Sequence, residues 1–195
     1  MPDDVLRPER PEDYRAVERL TRDAFRDAPH ADGKEALLAR RLRAVAAFVP
    51  GLDFVAEREG AVIGNIMYSR SHVAGRSGAG WETLTLGPLS IAPRHQRQGV
   101  GSALVRRTLG IARDMGFRAV ILFGHEHYYP RFGFADAARY GITTADGKNF
   151  PAFMALPLFD GALAAVSGRF LHDPVFDSLD KADAEAFNRS LDAPG

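Results

Sequence analysis

The sequence contains no cysteine. That excludes disulfides, a thiolate nucleophile and cysteine-ligated metal sites. It has no surplus of either charge, with 25 Lys and Arg against 25 Asp and Glu. A balanced chain has no general attraction for nucleic acid or an anionic membrane, although a local basic patch stays open. No apolar run approaches the roughly 18 residues that a membrane span needs. The opening MPDDVLRPERPEDY is acidic and polar, unlike a secretory leader. Internal repeats and low-complexity tracts are missing too. The expectation is a cytoplasmic protein that binds neither nucleic acid nor membrane.

What is present is ordinary globular material: 195 residues, 46% hydrophobic and 26% charged. That is enough for one domain with a sizeable core. Residues 11 to 26 predict a helix. Pro11 suits the first turn, Glu12 and Asp13 sit at the positive end of the dipole, and Tyr14, Val17, Leu20, Ala24 and Phe25 recur on one face. Residues 33 to 48 repeat the pattern after the loop DAPHADG and stop at Pro50-Gly51.

The periodicity then changes. LDFVAEREGAVIGNIMYSRSHV predicts two strands about Glu59-Gly60, and AGRSGAG predicts a turn. WETLTLGPLSIAP is the next strand. A helix follows from about Val100 to Met115, with Leu104, Val105, Thr108, Ala112 and Met115 on one side and Gly116 after its end. FRAVILF reads as a buried strand, GHEHYYPRFGF as a loop or short helix, NFPAFMALPL as a late strand and DKADAEAFNRSL as a closing helix. This order predicts an α/β fold with a mixed sheet and helices against it.

The chemistry gathers at RHQRQGVGSALV, residues 94 to 105. A strand that feeds a glycine loop opening a helix is anion-binding geometry. The first helical amides have no intrahelical partner, and the dipole adds about half a positive charge. Gly99 and Gly101 permit positive φ and close approach, Arg94 and Arg97 add charge, and Ser102 adds a hydroxyl. A P-loop is excluded because no Lys-Ser or Lys-Thr follows a glycine here. The dinucleotide fingerprint fails because Leu104 stands where its third glycine belongs. The spacing that fits is Q-x-x-G-x-G, Gln96 to Gly101, and the expected ligand group is a phosphate or pyrophosphate.

The strand before it carries Gly87-Pro88 inside an apolar run. Proline is poorly tolerated in a central strand except at a bulge. Either a bulge splays this strand and frees the backbone of Leu89, Ser90 and Ile91, or Pro88 ends one strand and Leu89 begins another.

LGPLSIAPRHQRQGVGSALV, followed by a helix, FRAVILF and then YYPRFGF, resembles the GNAT superfamily of acyl-CoA-dependent N-acetyltransferases. It looks most like a bacterial branch with a YYxRFGF block. The motifs span about Thr83 to Phe134, and the order of elements extends the resemblance over residues 4 to 160. The resemblance implies a mostly antiparallel sheet splayed at a cofactor cleft. It implies a domain over residues 1–160, with 161–195 an extension packed on it that caps the sheet or mediates a homodimer. It implies acetyl-CoA as co-substrate. Leu89, Ser90 and Ile91 would pair with the pantetheine arm. Gln96, Arg97, Gln98, Gly99, Val100, Gly101 and Ser102 would hold the pyrophosphate. In one departure, LFGHEH lacks the Asn that many members carry at the end of the buried strand, so His125 or a backbone group takes that place.

Acetyl transfer to a primary amine requires a neutral amine, donors for the developing oxyanion, and a proton for the departing thiolate. The resemblance implies that Tyr129, one helical turn before Gly133-Phe134, protonates the thiolate. A phenol of pKa about 10 can donate to a thiolate of pKa about 8.5. Tyr128 is its rival. The N–H of Ile91 is the expected oxyanion donor. Glu82 is the expected base, with His125, Glu126, His127 and His72 as alternatives. The H-x-H of His125 and His127 lacks further ligands at recognisable spacing, so no metal is expected. The acceptor is a small-molecule or peptide amine, read by residues 26 to 34, AGRSGAG and the segment after Phe134. A non-catalytic acyl-CoA sensor is the competing expectation.

Overall fold

A computed structural model describes residues 4–29, 31–75, 78 and 80–193. Residue 30 of DAPHADG and residues 76, 77 and 79 of AGRSGAG, both expected to be loops, lie outside that set. The strands are β1 (Val5–Pro8), β2 (Phe54–Arg58), β3 (Ala61–Ala74), β4 (Gly80–Ile91), β5 (Ala119–Phe123), β6 (Ala135–Asp136), β7 (Ile142–Thr143), β8 (Phe153–Pro157) and β9 (Gly168–Leu171). The helices are α1 (Tyr14–Phe25), α2 (Glu35–Leu42), α3 (Val100–Asp114) and α4 (Lys181–Ser190). Among the described residues no helix is long and apolar enough to cross a membrane. The chain forms two compact units. One holds residues 1–68, 88–105 and 174–195, and the other holds 69–87 and 106–173. β3, β4 and α3 each contribute to both.

In the first unit β1, β2 and β3 form an antiparallel meander, with Val5 opposite Glu57 and Phe54 opposite Ile66. Glu59 and Gly60 make the expected hairpin turn, with φ of +52° and +78°. Positive φ at both central residues matches the right-handed twist of the flanking strands. A 3₁₀ turn at Pro11–Asp13 leads into α1, where the Asp13 carboxylate accepts from the Arg10 N–H at 2.9 Å. Val17 and Leu20 of α1 are buried, as their spacing requires. α2 ends at Leu42, short of the expected residue 48. The chain must turn there, because the Val49 N–H donates to the Tyr68 carbonyl on β3 at 3.1 Å. Ala39, Leu42, Met67 and Val175 pack together as a core cluster.

Two polar devices tie this unit together. Arg15, Arg19 and Arg22 on α1 donate to the carbonyls of Ser190, Leu191 and Asn188 at 2.6, 2.7 and 3.1 Å. Those carbonyls lie at the end of α4, where helix geometry leaves acceptors unmatched and favours cations. The chain's last segment is therefore fastened to its first helix. Beside it, the buried Arg43 guanidinium donates to both oxygens of Glu9 at 2.6 and 2.8 Å and to Glu18 at 3.3 Å. Asp53 lies in the same cluster and accepts from the Asn65 side chain at 2.9 Å.

In the second unit β4 pairs with β5 in parallel, Leu84 opposite Val120 and Thr85 opposite Ile121. β8 lies antiparallel on β5, from Ala119 opposite Pro157 to Phe123 opposite Phe153. β6 adds to β8, β7 runs parallel to β9, and β9 pairs antiparallel with the end of β3. Parallel and antiparallel pairings together make the sheet mixed. Val73, Ile121, Phe153 and Phe170 are in its core, with Trp81 packed against it. β5 is buried up to Leu122, as its unbroken apolar run requires. α3 stops at Asp114, Gly116 follows at φ +82°, and Met115 is exposed rather than on the buried face. β4 runs unbroken through Gly87-Pro88, with Gly87 at φ +146°, so Pro88 does not end a strand.

Candidate active site

The first unit presents the glycine loop. Arg97 and Gly99 adopt positive φ, +60° and +90°. A Cβ on Gly99 would meet nothing within 4 Å, so backbone conformation and not space calls for glycine there. The first intrahelical bond of α3 runs from the Ala103 N–H to the Gly99 carbonyl at 3.0 Å. The amides of Val100, Gly101 and Ser102 precede it and are the unmatched donors of the helix start. Arg94 and Arg97 are exposed, and their side chains have no ion pair among the described residues.

The two glutamines brace the loop instead of projecting from it. Gln98 donates to the Arg94 carbonyl at 2.8 Å and accepts from Arg58 at 3.0 Å. Arg58 is itself held by Asp4 at 2.7 Å and touches His95 Nδ1 at 3.2 Å. Gln96 donates to the Ile91 carbonyl at 3.2 Å. Leu89 and Ile91 are half-buried, and Ser90 is buried with an unpartnered hydroxyl. The part that Arg58 plays in this bracing was not expected from the sequence, because nothing in a hairpin arginine marks a partner 40 positions away.

Gly64 is a second omission, and it did leave a signal. A Cβ there would stand 2.8 Å from Ile91 Cδ1 and 3.2 Å from both Val100 Cγ1 and Leu104 Cδ1. The next contact is a main-chain one, the Ala92 N–H donating to the Ile63 carbonyl at 2.9 Å. A lone glycine inside AVIGNIMY marks this close approach. It seats the first turn of α3 and the end of β4 against β3.

The second unit presents Tyr129. The N–H groups of Tyr128 and Tyr129 both donate to the His125 carbonyl, at 2.9 and 3.4 Å. A short 3₁₀ turn, Tyr129–Phe132, ends at Gly133 with φ +95°. Tyr129 is 8% exposed, and its ring meets Tyr128 and Phe134 edge-on at 5.1 and 5.5 Å. Burial pushes its hydroxyl well above the usual phenol range, so it keeps its proton at neutral pH. Tyr128 is only half-buried and has the Arg131 guanidinium 4.7 Å over its ring. Gly124 stands where the expected Asn is missing, and its α-carbon lies against the Tyr129 ring.

The carboxylate and imidazole candidates are solvated. Glu82 is exposed and accepts from Arg70 at 2.6 Å. His72, His125, Glu126 and His127 are exposed, with Glu126 and His127 3.3 Å apart. Among the described residues no three His, Cys, Asp or Glu side chains gather as a metal-binding group.

Residues 14–134 match the Acetyltransferase (GNAT) family. The uncharacterized N-acetyltransferase YjhQ of Escherichia coli K12 is 33% identical over 124 residues, and the match spans 64% of either chain. The GNAT-family N-acetyltransferase YhbS of Escherichia coli, solved with CoA, superposes with a TM-score of 0.80 at 28% identity over 92% of this chain and 95% of that one. A GNAT-family acetyltransferase of Brucella melitensis, solved with acetyl-CoA, superposes with a TM-score of 0.71 at 30% identity over 91% of this chain and all of that one.

Proposed function

The chain belongs to the GNAT acetyltransferase family, and from that premise we propose that it moves an acetyl group from acetyl-CoA directly to the primary amine of a small molecule or peptide. The observation that carries this is the glycine loop. Three helix-start amides, a positive-φ glycine and two uncommitted arginines form a cradle suited to a diphosphate. The two relatives solved with CoA and acetyl-CoA support the same ligand.

Bound acetyl-CoA supplies an activated thioester. The amides of Val100, Gly101 and Ser102, with Arg97 beside them, hold its diphosphate, and Gln96 and Gln98 keep the loop in shape. The backbone of Leu89, Ser90 and Ile91 offers strand-like pairing to the pantetheine amides. The N–H of Ile91 donates to the carbonyl oxygen as negative charge collects on it. Attack by the amine forms the N–C bond while the C–S bond breaks, and the sulfur leaves with the bonding pair. Tyr129, protonated at neutral pH, gives that sulfur its proton. The amine's proton passes to Glu82, directly or through water.

The test is thiol release from acetyl-CoA across a panel of amines, with Tyr129→Phe beside the native protein. Native turnover should exceed that of Tyr129→Phe by about 100-fold, with acetyl-CoA affinity unchanged. A non-catalytic sensor would bind acetyl-CoA and release no thiol with either protein. Absence of acetyl-CoA binding would remove both readings.

A further inference from the structure

A surface arginine ordinarily pairs with a carboxylate or trails into water on a loose stem. Arg106 and Arg131 do neither. Both are exposed, and neither guanidinium has an ion pair among the described residues. Each is laid over a ring instead. Arg106 Cζ stands 5.3 Å from the centroid of Phe132, and Arg131 Cζ stands 4.7 Å from that of Tyr128. The two rings meet at 5.4 Å and 69°. Two cations therefore share one aromatic platform, and all four residues belong to the second unit. Arg131 Nη2 is fixed further by donating to the His127 carbonyl at 3.3 Å. The carboxylates flanking this segment are engaged elsewhere, Glu126 with His127 at 3.3 Å and Asp136 with the Ala138 N–H at 2.8 Å. The one carboxylate on α3, Asp114, lies more than two turns beyond Arg106.

A ring against the flat face of a guanidinium holds its plane and leaves N–H groups free along its edge. Such an edge matches the oxygens of a phosphate two at a time. A phosphomonoester carries close to two negative charges at neutral pH, which two guanidiniums balance and one does not. Acetyl-CoA brings one such group. Besides its diphosphate it has a single phosphomonoester, on the 3′-oxygen of the ribose whose 5′-oxygen carries the diphosphate. α3 relates the two. Its first amides form the diphosphate cradle, and Arg106 follows Gly101 by five residues, about 7.5 Å along the axis. Ser102 and Arg106 are neighbours on one side of the helix. Helical side chains lean toward the amino-terminal end, so the stem of Arg106 starts back toward the cradle. Resting on the reading of residues 96–102 as that cradle, we infer that Arg106 and Arg131 receive the 3′-phosphate of acetyl-CoA and so discriminate against thioester carriers that lack it.

Calorimetry with acetyl-CoA and with 3′-dephospho-acetyl-CoA tests this on the native protein, Arg106→Gln, Arg131→Gln and the double variant. The native protein should bind acetyl-CoA about 30-fold tighter than the dephospho form. Each single variant should cut that ratio to about 5-fold and the double variant to about 1, while binding of the dephospho form stays at its native value. A native ratio of about 1, or a loss in the variants that is equal for the two coenzymes, would overturn the assignment. Inorganic phosphate is the third probe. If it raises the native melting temperature as much with saturating acetyl-CoA as without, the pair serves a separate anion and the assignment fails. A protein that binds neither coenzyme would remove the cradle reading, and the assignment with it.

Discussion

Gly124 and Tyr129 are in contact so close that a methyl group on the Gly124 α-carbon would stand 2.8 Å from Tyr129 Cδ2. The tyrosine lies where it does because residue 124 has no side chain. Gly124→Ala should displace the phenol without removing it. Thiol release should fall by about 10- to 100-fold, approaching Tyr129→Phe. Acetyl-CoA affinity, measured by calorimetry, should change little. Native turnover in Gly124→Ala would separate Tyr129 from the chemistry.

Gly64→Ala places a methyl where Ile91, Val100 and Leu104 already sit. Overpacking of this kind costs about 1–3 kcal/mol, and here the strain falls on the start of α3. Chemical denaturation should show that loss, and the acetyl-CoA dissociation constant should rise. Gly99→Ala makes a useful contrast, because space is free around Gly99 and only its φ of +90° resists the methyl.

Arg58→Ala removes the donor that holds Gln98 and releases Asp4. The loop loses a brace but none of the amides of Val100, Gly101 and Ser102. Acetyl-CoA should bind about 3- to 10-fold more weakly, since a hydrogen bond to a charged group is worth about 1.5 kcal/mol. Turnover at saturating acetyl-CoA should hold. Unchanged affinity would show that the loop keeps its shape without Arg58.

The Asp53 carboxyl is pushed up to about 9, first by burial and then by its hydrogen bond with Glu9. The folded chain therefore keeps a proton that the unfolded chain releases near pH 4. Between those values the native state binds more protons, so stability declines as pH rises and levels off above about pH 9. Asp53→Asn keeps the shape without the titration and should flatten that slope. Urea denaturation at pH 5, 7 and 9 measures it, and a native slope equal to that of Asp53→Asn would reject the retained proton on Asp53.

Much of this was readable from local spacing. Glu59-Gly60, Gly116 and Gln96 to Gly101 state their backbone needs within a few residues, and the FRAVILF run declares its own burial. What escaped depends on distant partners. β1 is four residues in a polar stretch and becomes a strand only because β2 lies beside it. β9 exists because the end of β3 and β7 offer it edges. α2 stops early because Val49 has an appointment with Tyr68. At the candidate site the amide-bearing residues were legible, since glycine and helix-start chemistry is local. The bracing by Arg58 and the seating by Gly64 were not assigned, since both rest on neighbours remote along the chain.

The arginine clamp between α1 and the end of α4 has a consequence for biosynthesis. The first unit joins α1 to residues 174–195, so α1 waits for partners made about 150 positions later to leave the ribosome. The intervening segment has emerged by then and can settle first. Nascent chains arrested before residue 174 should leave α1 open to proteases, and emergence of α4 should close it.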